Sequence, residues 1–243
     1  MVPLGECRQV SKIPRISYIV EGATDYHIID ALVERFLQTD NYVPTQIQPP
    51  MSEYTDDLGP LGGGWRGVVK WCSDIGARPE GLAGSMILAN TDCLVIHVDA
   101  DMASEAEFSE IDLSAPCPPA KDTCDRVRQY LIMLLRGQLH PKVVLCVPAQ
   151  CIEAWVFAAL HPDLVSRYEP IECKRDVAAL LVDKPDKLVR NKDGRSRKQP
   201  ERYRNNASKV ADKWPNATAR CPEALRFDSE CQLAIKEAKT TFS

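Results

Sequence analysis

Cys93-Leu-Val-Ile-His-Val-Asp-Ala-Asp-Met102 is a run of mostly apolar residues that ends in two aspartates. A short strand that is apolar on both of its sides is typical of a parallel sheet covered by helices on both faces. We therefore expect residues 93–98 to form an inner strand of such a sheet, with Asp99 and Asp101 just beyond its carboxyl end.

Strand-like and helix-like segments alternate on either side of this run. Short β-favouring stretches predict further strands at residues 16–20, 42–47 and 142–147. Apolar residues at helical spacing predict helices at residues 24–37, 68–75, 124–135 and 152–160. Alternation of this kind indicates an α/β fold with a mostly parallel sheet of about four strands.

The remaining segments are predicted as connections or as a second region. Residues 49–65 and 102–121 have the composition of loops, and Thr24 suits the N-cap of the first helix. After Pro162 the pattern is helical and polar, without a clear strand. The sequence thus predicts an α/β domain at residues 1–165 and a helical, basic C-terminal extension at residues 166–243 that packs on or beside it.

Charge is distributed unevenly along the chain. The net charge of −4 over 243 residues argues against indiscriminate binding to nucleic acid. Residues 174–213, however, hold 13 basic and 6 acidic residues, whereas residues 1–173 hold 13 basic and 24 acidic residues. We infer that the acidic part and the basic part have different roles.

The ten cysteines and the hydropathy pattern bear on the cellular compartment. The cysteines are scattered without a Cys-x-x-Cys pair, and the first 15 residues lack the apolar centre of a signal peptide. No stretch approaches the roughly 18 consecutive apolar residues of a membrane span. We therefore expect a cytoplasmic protein without membrane contact, in which all ten cysteines are reduced.

Acidic residues follow three of the predicted strands. Glu21 ends the first, Asp99 and Asp101 end the third, and Glu153 lies slightly past the fourth. The carboxyl ends of parallel strands share one edge of a sheet, where ligands bind, and an extended backbone would turn both aspartates to the same side. Clustered carboxylates repel one another, and oxygen ligands suit Mg²⁺ or Mn²⁺ together with a substrate phosphate.

These strand-end residues also carry a resemblance. VEGATD at Val20 to Asp25, VIHVDADM at Val95 to Met102 and CIEAWVFA at Cys151 to Ala158 resemble, in this order, the Toprim domain. That domain occurs in type IA and type II topoisomerases, bacterial primases and overcoming-lysogenization-defect nucleases. The third segment is similar to one in small stand-alone Toprim proteins, which are often encoded beside ATPases in phage-defence loci.

The resemblance implies a fold, a reaction and site residues. Glu21 would match the Toprim glutamate, a metal ligand or general acid/base, and Asp99 and Asp101 would match the metal-binding aspartates. Glu153 would match an acid found in part of the superfamily. No tyrosine-bearing topoisomerase domain or primase zinc module is recognisable, so the resemblance implies a Mg²⁺- or Mn²⁺-dependent nuclease that works with an ATPase partner.

A basic segment at residues 184–204 contains 9 basic and 3 acidic residues. Such a run is often only a solvated surface, but beside an acidic metal site we interpret it as a mobile arm that binds the backbone of DNA or RNA. The candidate nucleic-acid-binding residues are Lys192, Arg195, Arg197, Lys198, Arg202 and Arg204.

Structural explanations remain open for single acids and histidines. Glu21-Gly22 could be a tight turn, Asp99 could cap a helix, and Glu153 could pair with a basic residue. Asp25 is expected to stabilise the first helix through its dipole. His27 and His97 are interpreted as packing residues.

Two other functions compete with the nuclease. VIHVDADM at Val95 to Met102 also looks like the strand and Asp-x-Asp of a Mn²⁺-dependent nucleotide-sugar glycosyltransferase, which would not need Glu21 at the metal. A catalytically inactive Toprim-like module that binds nucleic acid or a protein is the other alternative.

Overall fold

The structure, a computed structural model, describes residues 13–50, 61–137 and 139–240. Its main sheet contains four parallel strands in the order β2-β1-β3-β4, flanked by helices, which confirms the predicted α/β class. The strands are β1 (Arg15–Ile19), β2 (Val43–Gln48), β3 (Cys93–His97) and β4 (Val143–Cys146). Most of the loop predicted at residues 49–65, namely 51–60, lies outside the described residues.

Helices follow the strands where helical spacing of apolar residues predicts them, and more helices form the C-terminal part. The α-helices are α1 (Ala23–Leu37), α2 (Gly64–Ala77), α3 (Met86–Ala89), α4 (Ala120–Leu134), α5 (Glu153–Leu160), α6 (Pro162–Val165), α7 (Pro200–Asp212), α8 (Trp214–Thr218) and α9 (Pro222–Thr240). Short 3-10 helices cover Ala100–Ser104, Ala106–Phe108, Ile171–Cys173 and Val177–Leu181.

Two hydrophobic cores lie on the two faces of the sheet. Because side chains alternate along a strand, Val95 points into one core and its neighbours Leu94 and Ile96 point into the other. Helices α1, α5, α7, α8 and α9 pack in the first core, and α2 and α4 pack in the second. All five residues of β3 are buried, as its apolar sequence predicts.

The C-terminal helices share the first core with the sheet. Trp155 of α5 packs against Trp214 of α8 and Phe227 of α9, with ring centroids 5.8 and 6.0 Å apart. The Trp155 indole also donates a hydrogen bond of 2.7 Å to the buried carboxylate of Glu172. The region after residue 165 therefore covers one face of the sheet.

The basic segment contains an antiparallel hairpin, β5 (Val189–Lys192) and β6 (Arg195–Lys198), in a region that we predicted to lack strands. Asp193 and Gly194 connect the two strands with φ angles of 54° and 74°. Positive φ at both positions is what a two-residue type I′ hairpin turn requires, and Asp-Gly is its typical sequence. The prediction was wrong because the charged strands lack the apolar alternation of a half-buried strand.

The prediction that every cysteine is reduced was wrong for one pair. Cys117 and Cys173, 56 positions apart in sequence, form a disulfide with their Cα atoms 5.4 Å apart. The chain before α4 lies against the 3-10 helix Ile171–Cys173, a proximity that sequence spacing cannot reveal. The other described cysteines are free.

Two local predictions also need correction. Gly22, in an extended conformation, is the N-cap of α1, and Thr24 lies within the first turn instead of capping it. The connection predicted at residues 102–121 is less exposed than its composition suggests, because Phe108 and Leu113 are buried in the second core.

None of the helices in the described ranges is both long and apolar enough to cross a membrane.

Candidate acid centre

The site lies between β1 and β3, where the strand order changes direction. From β1 the chain continues to β2 on one side of the sheet, and from β3 it continues to β4 on the other side. Neighbouring strands β1 and β3 are followed by helices α1 and α4, which pack on opposite faces. In open parallel sheets this arrangement leaves a crevice at the carboxyl ends of the strands, the usual place for a ligand. Glu21 follows β1 at this crevice and Asp99 follows β3.

Glu21 and Asp99 are in direct contact. The backbone N–H of Asp99 donates a hydrogen bond of 2.8 Å to Oε1 of Glu21. Oδ1 of Asp99 accepts a hydrogen bond of 3.1 Å from the Ile152 N–H and lies 3.2 Å from Nε2 of His97. These contacts join the ends of β1 and β3 to the loop after β4.

A second pair of acids lies beside them. Asp25 and Glu153 are both buried, and the ammonium group of Lys198 lies 2.8 Å from Oε1 of Glu153 and 3.6 Å from Oδ1 of Asp25. The hydroxyl of Tyr203 donates a hydrogen bond of 2.9 Å to the same Glu153 oxygen. We call Glu21, Asp25, Asp99 and Glu153 the acid centre.

Asp101 lies beside this arrangement, within electrostatic range of Asp99 and Lys198. The backbone enters the 3-10 helix Ala100–Ser104 directly after Asp99, so it is not extended as we expected, and the Asp101 side chain is partly exposed to solvent. Among the described residues, no group of three or more His, Cys, Asp or Glu side chains is arranged to hold a metal ion. Thus the structure brings Glu21 and Asp99 into contact and places Asp101 beside them.

Burial and mutual repulsion change the acidity of the carboxyl groups. Burial, followed by the charge of Asp99, raises the pKa of Glu21 to about 8. Burial likewise raises the pKa of Asp25, and the nearby Lys198 ammonium opposes this change. Partial burial and the Asp99 charge raise the pKa of Asp101 to about 7. These carboxyl groups therefore hold their protons to higher pH than free acids do, because ionising all of them would concentrate negative charge at the crevice.

Two cations offset part of this charge. Burial by itself lowers the pKa of His97, but the hydrogen bond to Asp99 and the charges of Asp99, Asp25 and Glu21 outweigh burial and raise it to about 9. Burial also lowers the pKa of Lys198, but the charges of Asp25, Glu153 and Asp99 raise it well above its usual value. His97 is thus buried, as predicted, yet it belongs to the site.

Glu21 and Asp99 offer donor atoms of the kind that a divalent cation prefers. The candidate donors are carboxylate oxygens, the ligands that Mg²⁺ and Mn²⁺ prefer. Lys198 and Tyr203 both contact Oε1 of Glu153. The fully buried Oε2 of the same carboxylate has no hydrogen-bond partner among the described residues. A bound cation would also remove the repulsion that raises the pKa of Glu21.

The predicted nucleic-acid-binding residues fall into two groups. Lys192, Arg195 and Arg197 are exposed on the hairpin, and Arg202 and Arg204 are exposed on α7. None of these five cations forms a salt bridge with a described carboxylate. Lys198, by contrast, points into the acid centre.

Sequence reasoning missed several residues of the site. Asp25 lies in the first turn of α1, four positions after Glu21. This spacing could have indicated that its carboxylate lies near the end of β1. For Lys198 and Tyr203 the sequence holds no such signal, because they reach Glu153 from about 50 positions away. The hypothesis that Glu153 pairs with a basic residue agrees with the Lys198 contact.

No protein-family model, curated protein or solved structure gives a significant match to the chain. The geometry and charge of the acid centre and the hairpin are therefore the features of the molecule that point to a function.

We predict that the protein without bound metal becomes less stable as the pH rises from 5.5 to 8.5. Folding raises the pKa of Glu21 from 4.5 to about 8 and that of His97 from 6.5 to about 9, so the folded state binds more protons over this range. Stability must then fall with rising pH, by an amount on the order of 5 kcal/mol. Urea unfolding in the presence of EDTA at the two pH values measures the change.

Glu21→Gln should reduce this pH dependence, because it removes the titrating carboxyl group. Glu80→Gln is the matched control, since Glu80 lies exposed on the surface and should leave the dependence unchanged. Stability that rises with pH in the wild-type protein, or an unchanged slope in Glu21→Gln, would contradict the interpretation of the acid centre.

Proposed function

We propose that the protein is a metal-dependent nuclease that hydrolyses phosphodiester bonds in nucleic acid. The observation that supports this function best is the contact between Glu21 and Asp99 at the crevice of the sheet, beside a hairpin rich in cations. An acidic site for a divalent ion and a basic surface for a polyanion are the two parts that such a reaction needs.

Glu21 and Asp99 would hold the metal ion, and the exposed Asp101 is close enough in sequence to contribute if its segment moves. Bound Mg²⁺ or Mn²⁺ would supply Lewis-acid activation of the scissile phosphate and of the attacking water. His97 Nε2, 3.2 Å from Oδ1 of Asp99, would donate to this oxygen and so fix the direction of the carboxylate. The Ile152 N–H, which donates to the same oxygen, restrains it further.

The hairpin has a charge pattern that favours a polyanion. Arg190 stands opposite Arg197 and Lys192 opposite Arg195, so directly paired residues carry like charges on one face. Like charges in these positions destabilise a strand pair. The phosphate backbone of DNA or RNA would remove this cost while it is bound close to the acid centre.

The proposal agrees with the resemblance to Toprim nucleases. An ATPase partner and a role in phage defence also belong to the proposal, and they rest on that resemblance alone. Both DNA and RNA are candidate substrates, because cations that contact phosphates do not distinguish the two.

We predict that the purified protein, with its ATPase partner where one is required, cleaves DNA or RNA in Mg²⁺ or Mn²⁺ and loses this activity in EDTA. Asp99→Asn should reduce cleavage by at least about 100-fold, because a neutral amide keeps the hydrogen-bonding shape but binds the metal poorly. The measurement is gel analysis of single-stranded and double-stranded substrates.

Asp74→Asn is the matched control, since Asp74 is an exposed acid on α2 that pairs with Lys70. It should cleave like the wild-type protein. Cleavage that persists in EDTA or in Asp99→Asn would contradict the proposal. Transfer of sugar from a nucleotide-sugar in Mn²⁺, without cleavage of any nucleic acid, would support the glycosyltransferase instead.

We predict that replacing Lys192, Arg195 and Arg197 together by Ala weakens nucleic-acid binding and reduces its dependence on salt. Each phosphate contact contributes roughly 0.7 to 0.9 to the slope of log affinity against log salt, so three lost contacts should reduce the slope by about two to three. Fluorescence anisotropy with labelled DNA and RNA at several salt concentrations measures both effects.

A control variant with Lys70, Lys121 and Arg220 changed to Ala removes three exposed cations from other elements. It should retain nearly the wild-type affinity and slope. If the hairpin variant behaves like this control, the hairpin is a solvated surface and the nucleic acid binds elsewhere.

A further inference from the structure

The two faces of the β5–β6 hairpin carry different side chains. Directly opposite residues share a face, so Arg190, Lys192, Arg195 and Arg197 form an outer face of four cations. The inner face is formed by the pairs Val189–Lys198, at the base of the hairpin, and Asn191–Ser196. Val189 and Lys198 are less exposed than the four cations of the outer face. The inner face therefore lies toward the protein at its base, and it carries a single cation, Lys198.

The hairpin is held mainly at its base, where both strands also pack against the 3-10 helix Val177–Leu181. Val189 is its only fully buried residue, and the neighbouring backbone adds a hydrogen bond of 2.8 Å from the Gln199 N–H to the Leu188 carbonyl. The repulsion between like charges on the outer face opposes the pairing of the strands. The ammonium group of Lys198, 2.8 Å from Glu153 and 3.6 Å from Asp25, is thus a principal attachment of the hairpin to the acid centre.

Lys198 also lies close to the place where the proposed metal charge would be. Its ammonium group acts electrostatically on Asp101 and is itself influenced by Asp99. Lys198 already supplies positive charge to the acid centre. A divalent cation held by Glu21 and Asp99 would therefore repel this ammonium group.

We propose that Lys198 attaches the hairpin to the acid centre and that a divalent metal ion weakens this attachment, so that metal occupancy and hairpin position are linked. The inference rests on the proposed metal site. Linkage is reciprocal, so the attached hairpin must weaken metal binding by the same factor by which metal weakens the attachment. Loading the metal then lets the hairpin move, so that its exposed outer face can follow the backbone of a bound nucleic acid.

Calorimetric titration with Mn²⁺, without any nucleic acid, tests the first half of this linkage. Lys198→Gln should bind Mn²⁺ about tenfold more tightly than the wild-type protein, which is the effect of removing one like-charge interaction in a protein surface environment. Lys198→Arg, which retains the charge, should bind like the wild type. Lys192→Gln is the matched control on the outer face and should change the affinity much less.

Amide hydrogen exchange at residues 189–198 tests the second half. In the wild-type protein, saturating Mg²⁺ should speed exchange in the hairpin while it slows exchange at residues 21–25 and 98–101. In Lys198→Gln the hairpin should exchange fast with or without Mg²⁺. Circular dichroism establishes that each variant is folded.

The outcomes separate this inference from the function on which it rests. Mn²⁺ binding of equal strength in Lys198→Gln and Lys192→Gln, or hairpin exchange that Mg²⁺ leaves unchanged or slows, overturns the linkage and leaves the metal site intact. Failure of the folded wild-type protein to bind Mn²⁺ or Mg²⁺ overturns both. If the protein binds metal with the predicted linkage but cleaves no nucleic acid, the linkage is supported and only the proposed nuclease function is overturned.

Discussion

The hydrogen bond from the Asp99 N–H to the Glu21 carboxylate, 2.8 Å long, brings the ends of β1 and β3 into one site. It is possible only because β1 and β3 are adjacent and parallel, so both acidic residues emerge at the same edge of the sheet. The rest of the site adjusts to the charge that this contact concentrates. Burial and repulsion raise the pKa of Glu21, and His97 and Lys198 supply compensating positive charge from either side.

The C-terminal region completes the centre that the sheet begins. It covers one face of the sheet through a shared hydrophobic core, and from that position it directs Tyr203 and Lys198 to the buried Glu153. Removing one partner of a buried ion pair leaves an uncompensated charge, which is strongly destabilising. The acidic part of the chain supplies the carboxylates, and the basic part supplies Lys198 and Tyr203, which contact Glu153.

Much of the fold and part of the site could be predicted from local sequence. The apolar run at residues 93–98 indicates a buried parallel strand, and the acids after β1 and β3 indicate the edge where Glu21 and Asp99 meet. Contacts that join distant segments could not be predicted, as the Cys117–Cys173 disulfide and the Lys198–Glu153 pair show. Asp193-Gly194 is a typical hairpin-turn sequence and did indicate the turn. The flanking strands are mostly charged, so they lack the alternation of apolar and polar residues that predicts a strand.

The most direct test of the metal proposal is a crystal structure of the protein soaked in Mn²⁺, with an anomalous difference map collected to locate the ion. We predict an ion bound by carboxylate oxygens of both Glu21 and Asp99, at roughly the 2.0 to 2.2 Å typical of small divalent cations and carboxylates. A map in which Mn²⁺ is absent from this crevice, or in which it binds Asp101 without Glu21, would contradict the account.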